Sequence, residues 1–413
     1  MRPSWLCAVV LCAALGAAAQ DLELSPALPT SAQAAAWIEA DPGVVRARHA
    51  AAAAGHGAEA LAAGGHEWTL RLQGQQRRYQ DGGPASREWL TQLERSLRVN
   101  GKAGLDRRLG EVERELAQAR VGEARHESAR ALAELWIAEL AARQRRGWAD
   151  AQLALARANV DAVAKRRRAG DASTLDLQLA QAELGDVQRE ASLAATAVVK
   201  AHAAAQLRFG AEVPVGLVLP EPREPALPQA AWLQRLLDEA DPLKSARAEL
   251  DRARLVAARS RADRVPDPVV GVFAAREARG NERLLGLSLT LPIGGAQRTQ
   301  RALQFEREVD AAQAALDEVR RGLELEAAQA WADANGSLER WRLARDTAAL
   351  AAGNAGLTQR AYALGEADLQ TLLQARRQAA QSGMAALEAQ AEALRWEARL
   401  LVDAHLIWDL AHD

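Results

Sequence analysis

Two stretches of strict alternation stand out in a chain otherwise patterned for helices. Trp68, Leu70 and Leu72 alternate with Glu67, Thr69, Arg71 and Gln73, the period of two that marks a strand with one apolar face. Asp81-Gly82-Gly83-Pro84 is a turn signal. The return strand then puts Trp89, Thr91, Leu93, Leu97 and Val99 on one face, with Leu90, Gln92, Glu94, Ser96 and Arg98 on the other. Asn100-Gly101 closes this first hairpin, expected over about 66–100. A second hairpin is expected over about 268–294. Val270 and Val272 begin it, Arg279-Gly280-Asn281-Glu282 turns it, and Leu285, Leu287, Leu289, Leu291 and Ile293 alternate with Gly286, Ser288 and Thr290. Pro292-Ile293-Gly294-Gly295 ends it.

Between the hairpins the apolar period lengthens to that of helices. A first helix is expected over 30–63, weakest at Gly55-His56-Gly57. From Lys102 to Arg168 no proline appears, and Leu105, Leu109, Val112 and Leu116 follow the 4-3-4 seam of a coiled coil. At 1.5 Å per residue such a helix is about 100 Å long. Gly170-Asp171-Ala172-Ser173 breaks it, and another helix follows over 174–209. Five prolines between Pro214 and Pro228 make a linker. Helices are then expected over 229–264, before the second hairpin, over 296–363, and from 369 to about Leu410. Val309, Ala312, Leu316, Val319 and Leu323 repeat the seam at 3-4-3-4.

The plan is given twice. Trp136 lies 34 residues before Gly170, and Trp331 lies 34 before Gly365. ADPGVVRAR at Ala40–Arg48 is echoed by ADPLKSARAEL at Ala240–Leu250. A period near 195 residues is too long for a solenoid unit, whose repeats reach roughly 50. It marks a duplicated structural half, 20–213 and 229–413, joined by the linker at 214–228.

Bulk properties narrow the class. Arg2, the apolar run Trp5–Ala19 and the small residues Ala17-Ala18-Ala19 make a secretory signal peptide over 1–19. Cys7 and Cys12 fall inside it. Leu11 before Cys12 disfavours a lipoprotein signal, so the mature chain carries no cysteine for disulfides or thiolate metal sites. Lys and Arg number 52 against 54 Asp and Glu, which supplies no basic field for nucleic acid. The apolar content is mostly alanine, suited to closely packed helices rather than a thick globular core. No Ser/His/Asp set, phosphate loop or paired catalytic carboxylates stand out, so an enzyme is not expected. Histidines 49, 56, 66, 126, 202, 405 and 412 show neither HxxxH nor HExxH spacing, so no metal site and no cofactor are expected. A weak metal contact at His56 and His66 is the residual alternative.

Four strands with one apolar face need a cover, and no globular partner is encoded for it. A lone hairpin is marginal in water. Lipid suits the face, provided the sheet closes so that no edge stays unpaired. Membrane barrels use at least about eight strands, so several chains must share one barrel. The helices then project from one side of the membrane.

The order helix, hairpin, long helix, turn, helix, given twice behind a signal peptide, resembles the TolC family of outer-membrane efflux proteins. LTLPIGG at Leu289–Gly295 and YALGEADLQTLLQAR at Tyr362–Arg376 are similar to that family's phrases. The short chain also resembles its heavy-metal (CzcC-like) branch. The resemblance implies a mainly α fold with a small β part. Long antiparallel coiled-coil helices would form a trimeric α-barrel, and four strands per chain would join a shared outer-membrane β-barrel. It implies a homotrimer with a periplasmic extension, docked to a periplasmic adaptor and an inner-membrane pump of the RND type. Metal ions or small toxic compounds would pass through it passively. The alternatives are the duct of a type I protein secretion system and a soluble periplasmic coiled-coil adaptor.

Carried over by motif, the tips Ala169–Asp176 and Ala363–Leu369 would form the periplasmic entrance and touch the adaptor, through Gly170, Asp171, Asp176, Tyr362, Gly365, Glu366 and Asp368. Both glycines are helix caps in any case. Tyr362 matches the family's entrance tyrosine and Asp176 its acidic partner, a hydrogen bond that would hold the mouth shut. The pattern is departed from at Ala367, where the family has arginine, and at Thr371 and Gln374, where some relatives place an acidic constriction. Glu366 and Asp368 could replace that ring, or be solvated turn carboxylates. Trp68 and Trp89 are candidates for an aromatic membrane belt. Trp136, Trp331 and Trp341 are expected to be packing residues.

Overall fold

The computed structural model describes residues 27–408. The expected signal peptide with its two cysteines, and His412 at the other end, lie outside these residues. Helices α1 (Ser31–Ala40) and α2 (Pro42–Ala63) lead into strands β1 (Trp68–Arg77) and β2 (Ser86–Ser96), then α3 (Lys102–Ala169) and α4 (Thr174–Phe209). The order recurs as α5 (Gln229–Glu239), α6 (Asp241–Ala262), β3 (Val269–Glu277), β4 (Glu282–Thr290), α7 (Ala296–Leu364) and α8 (Leu369–Asp403). Among the described residues no helix is long and apolar enough to cross a membrane.

Three helix expectations are corrected. The single helix over 30–63 is two, because Asp41 takes an extended backbone (φ −58°, ψ 128°) before Pro42 and caps the second helix, its Oδ1 accepting from Gly43 N at 2.7 Å. The residue before proline is pushed out of the helical region. The helix over 229–264 also divides, one position earlier in the phrase, at Ala240 (φ −59°, ψ 106°), so that Asp241 and Pro242 both lie in the first turn of α6. The two echoed Ala-Asp-Pro phrases are therefore helix breaks. Gly55-His56-Gly57, by contrast, stays inside α2. The last helix stops at Asp403 rather than near Leu410. His405 (φ 51°) and Trp408 (φ 58°) adopt left-handed backbone, which folds the chain back so that Trp408 is buried and its indole N–H donates to Pro29 O at 3.0 Å.

The strands form one antiparallel sheet in the order β1-β2-β3-β4. Its register aligns side chains across the sheet in rows, Leu70–Leu93–Val272–Leu287 and Leu72–Thr91–Ala274–Leu285. These rows share one face, and Leu70, Leu72, Leu285 and Leu287 are 60–87% exposed on it. The opposite face is largely polar, interrupted by Leu90 and Leu284. Arg71 lies 3.5 Å from Glu94, and Gln92 donates to Glu94 at 2.8 Å and to Ser288 at 3.2 Å. Phe273 also sits on that face, laid across Gly286, where an added Cβ would fall 2.4 Å from the ring. β1 and β4 are each paired on one side only. β4 ends at Thr290, so Leu291 and Ile293 stand exposed beyond it.

The helices pack by their small residues along their length and thicken into a core at mid-height. There Ile38, Leu132, Trp136, Leu140, Phe209, Val402 and Trp408 form the largest cluster. Trp37 stacks on Trp136, and Trp232 on Trp331, both with ring centroids 5.7 Å apart. Trp136, Trp331 and Trp341 all pack into apolar clusters.

Candidate functional site: the helical tips and the neck

At the end of α3, Gly170 adopts φ 86°, and Asp171 N donates back to Arg166 O at 2.9 Å. At the end of α7, Gly365 adopts φ 80°, and Glu366 N donates to Ala361 O at 2.9 Å. Both turns are left-handed helix terminations that favour glycine. Each following helix is capped by its own turn. Ser173 and Asp176 make a reciprocal capping box, with Asp176 Oδ2 accepting from Ser173 N and Oγ at 2.8 Å. Asp368 accepts from Thr371 N at 2.7 Å, and this backbone bond, with the Thr371 hydroxyl, holds its carboxyl below the usual range. Behind the turns, Val163, Ala180, Leu369, Leu372 and Leu373 pack together with Tyr362 against them.

The expected bond between Tyr362 and Asp176 is not made within the chain. Asp176 is occupied by its capping box, and Arg166 Nη1 donates to the Tyr362 hydroxyl at 2.6 Å with its guanidinium 5.1 Å from the ring centroid. The two hairpins are tied a second time by Arg377 on α8, which reaches Glu183 on α4 at 2.6 Å. That bond raises the Arg377 pKa, whereas burial lowers that of Arg376. Asp171, Glu366, Thr371 and Gln374 are exposed. Glu366 makes no ion pair among the described residues. Arg166, Glu183 and Arg377 were missed by sequence reasoning, since Lys165-Arg166-Arg167-Arg168 reads as a solvated run.

At the other end, where sheet meets helices, lies a polar neck that sequence reasoning also missed. Lys102 opens α3 yet is 1% exposed. Its Nζ donates to Asp267 Oδ1 and Val265 O, both at 2.7 Å. Asp267 also accepts from Val99 N at 3.1 Å, and His66 Nε2 lies 3.2 Å from its other oxygen. Burial works against the ionised carboxyl, but these bonds outweigh it and hold the Asp267 pKa low. Arg98 donates to Leu61 O, Ala62 O and Ala63 O, closing the end of α2, and joins Arg259 on Asp106. Two strand connections are thus fixed to helix ends, through Arg98 after β2 and Asp267 before β3. His66 belongs to this network, and no group of three His, Cys, Asp or Glu among the described residues is placed for a metal.

The two strand tryptophans bracket the apolar band. Trp68, 61% exposed, is in the row nearest the helices, and Trp89, 47% exposed, pairs with Gly74 near the hairpin turns. Six residues separate those rows along β1, about 20 Å at strand rise, close to the apolar height of outer-membrane barrels.

A four-stranded sheet with one apolar face, carried on helices of about 100 Å, is a fold shared with outer-membrane channels. The outer-membrane channel OprN superposes with a TM-score of 0.78 at 17% identity, covering 92% of this chain and 90% of its own. The open state of MtrE from Neisseria gonorrhoeae gives 0.71 at 16% identity, covering 92% and 90%, and CusC gives 0.68 at 17%, covering 90% and 91%. These are TolC-family channels, and their fold is the fold of this chain. Residues 232–402, in the second half of the chain, match the outer membrane efflux protein family. The cobalt-zinc-cadmium resistance protein CzcC of Cupriavidus metallidurans is 26% identical over 213 residues, 51% of this chain and 51% of that protein. The match thus spans about half of that relative's length. The matched family is that of outer membrane efflux proteins, and the fold is one shared with outer-membrane channels.

Proposed function

We propose that this chain is the outer-membrane channel of a tripartite efflux system, conducting metal ions or small toxic compounds passively from periplasm to exterior. The observation that carries this reading is the sheet, apolar on one face and largely polar on the other, with both edges open. It becomes stable only as part of a closed barrel in lipid. The polar face then lines the conduit, with Arg71 and Glu94 neutralising one another along it. A soluble adaptor would have no use for the apolar face. Metal cargo is favoured by the likeness to CzcC. A trimer, with an adaptor at the tips and an RND-type pump beneath, is the assembly we infer from the resemblance to the TolC family. Purified chain added to a planar bilayer should give stepwise, nucleotide-independent conductance. A water-extractable protein that never inserts would end this reading.

A second feature supports assembly. Leu343, Leu350, Leu357 and Leu364 recur at intervals of seven on α7 and are 58–75% exposed. Such a seam belongs against another helix. Burying one leucine contributes about 1.5–3 kcal/mol, so Leu350→Lys with Leu357→Lys is expected to convert the oligomer to monomer on native mass spectrometry. An intact oligomer would place the seam elsewhere than between copies.

A further inference from the structure

At mid-height, α3, the α5–α6 junction, α7 and the segment after α8 enclose a cavity of about 390 Å³. Two imidazoles face one another there. His126 of α3 and His405 lie with ring centroids 5.4 Å apart and planes inclined by 30°. His126 Nε2 is 3.2 Å from Asp403 Oδ1. That carboxylate is already engaged, by Arg130 at 2.6 Å on the same oxygen and by Arg399 at 3.5 Å on the other.

His405 occupies a mechanical position. It is the residue at which the chain leaves α8 and turns back in left-handed backbone. Arg235 grips the turn through Ala404 O at 2.6 Å and His405 O at 3.3 Å. Three residues later Trp408 is buried in the mid-height core and bonded to Pro29 O. Residues 404–408 are therefore a strap that fastens the start of the described chain to the helices.

A proton on each ring would set two cations side by side. The anions facing them are largely committed. Glu239 and Asp241 hold Lys244, at 3.1 and 3.7 Å, and Glu326 of α7 pairs with Arg130 and Arg399. Glu123 and Glu127 of α3 line the open side of the cavity and are exposed to water, which weakens their pull. Asp403 can accept from one imidazolium, and His126 is the one in reach. Burial, and then His126, lower the His405 pKa from the ordinary imidazole value. The sign follows from linkage. Above about pH 6.5 the imidazole is neutral whether the strap is seated or free, and the strap holds. As pH falls below that value the free strap binds the proton that the seated one resists, so the equilibrium moves toward release.

We propose that His126 and His405 form a proton-operated latch, seating the strap of residues 404–408 at neutral pH and releasing it in acid. In an outer-membrane protein whose helices stand in the periplasm, the latch would respond to the acidity of the medium. Hydrogen–deuterium exchange of the peptide covering 400–408, in the detergent-solubilised full oligomer and corrected for intrinsic rates, tests this. Between pH 7.5 and 5.0 the wild type should lose protection by a factor of about ten or more. His405→Gln should keep it at both values, and His126→Gln, which leaves the strap itself unaltered, should lose clearly less than the wild type, because burial of His405 persists without the neighbouring ring. Wild-type protection that does not change with pH would overturn the latch. So would a loss in His126→Gln as large as in wild type. Should His405→Gln already be unprotected at pH 7.5, the His126→Gln comparison alone decides, by the same two outcomes.

Discussion

Tyr362→Phe combined with Arg166→Ala is expected to open the periplasmic mouth. In planar bilayers the double variant should conduct several-fold more than the wild type, or spend far longer in its most conductive level. The hydrogen bond from a charged donor is worth about 1.5–3 kcal/mol when sheltered, and the guanidinium over the ring about 0.5–1 kcal/mol. Because Arg166 is exposed, the lower ends apply. A loss near 2 kcal/mol shifts a closed-to-open ratio by more than about tenfold. Asp176→Ala is the informative control. Its carboxylate serves the capping box, so its removal should weaken the start of α4 by about 1 kcal/mol and leave conductance unchanged. If Asp176→Ala alone opens the channel as far as the double variant, the tyrosine is held by Asp176 of another copy, and the bond inside the chain is not the lock.

Lys102→Met is expected to be among the most destabilising single changes. It leaves Asp267 partly buried without its main cation, and breaking such a pair by removing one partner costs about 3–5 kcal/mol. Asp267→Asn should cost less, because the amide oxygen can still accept from Val99 N and Lys102. Thermal unfolding followed by circular dichroism, with limited proteolysis at the neck, separates the two. The pH dependence has a definite sign. The Asp267 carboxyl is held below its ordinary range, so its contribution is fully present above about pH 4 and is lost as pH falls through its lower folded value. The deficit of Lys102→Met should therefore be as large at pH 5 as at pH 7. Equal melting of variant and wild type at neutral pH would show that the neck is not held by this pair.

Much of this architecture can be read from spacing alone. Period two placed the strands, and the long helices end where glycine permits reversal, at Gly170 and Gly365. Those signals are local, and local signals survive in a sequence. The two helix breaks lie in the repeated Ala-Asp-Pro phrases, which mark a duplication in the sequence and a change of direction in the structure. Proline inside a helical pattern is itself a break signal, and the backbone of Asp41 and Ala240 shows where each break falls. The tip and the neck are of another kind. Arg166 and Tyr362 stand 196 residues apart, and Lys102 and Asp267 165, so no periodicity connects them. A lysine at the start of a helix ordinarily points to water, and one that is buried betrays itself only once the hairpins are in place.

The open edges of β1 and β4 have a consequence for how many copies combine. β1 and β4 run in opposite directions, so copies standing the same way up in one barrel would pair β4 of one with β1 of the next, and such head-to-tail joining has no intrinsic stopping point. Only the curl of each four-stranded unit brings the last copy round to the first. Stoichiometry is then a matter of curvature, and a substitution that flattens the sheet would yield larger rings or unending ribbons without touching the contact itself. Until such a ring shuts, every copy would also be a seed for indiscriminate strand addition.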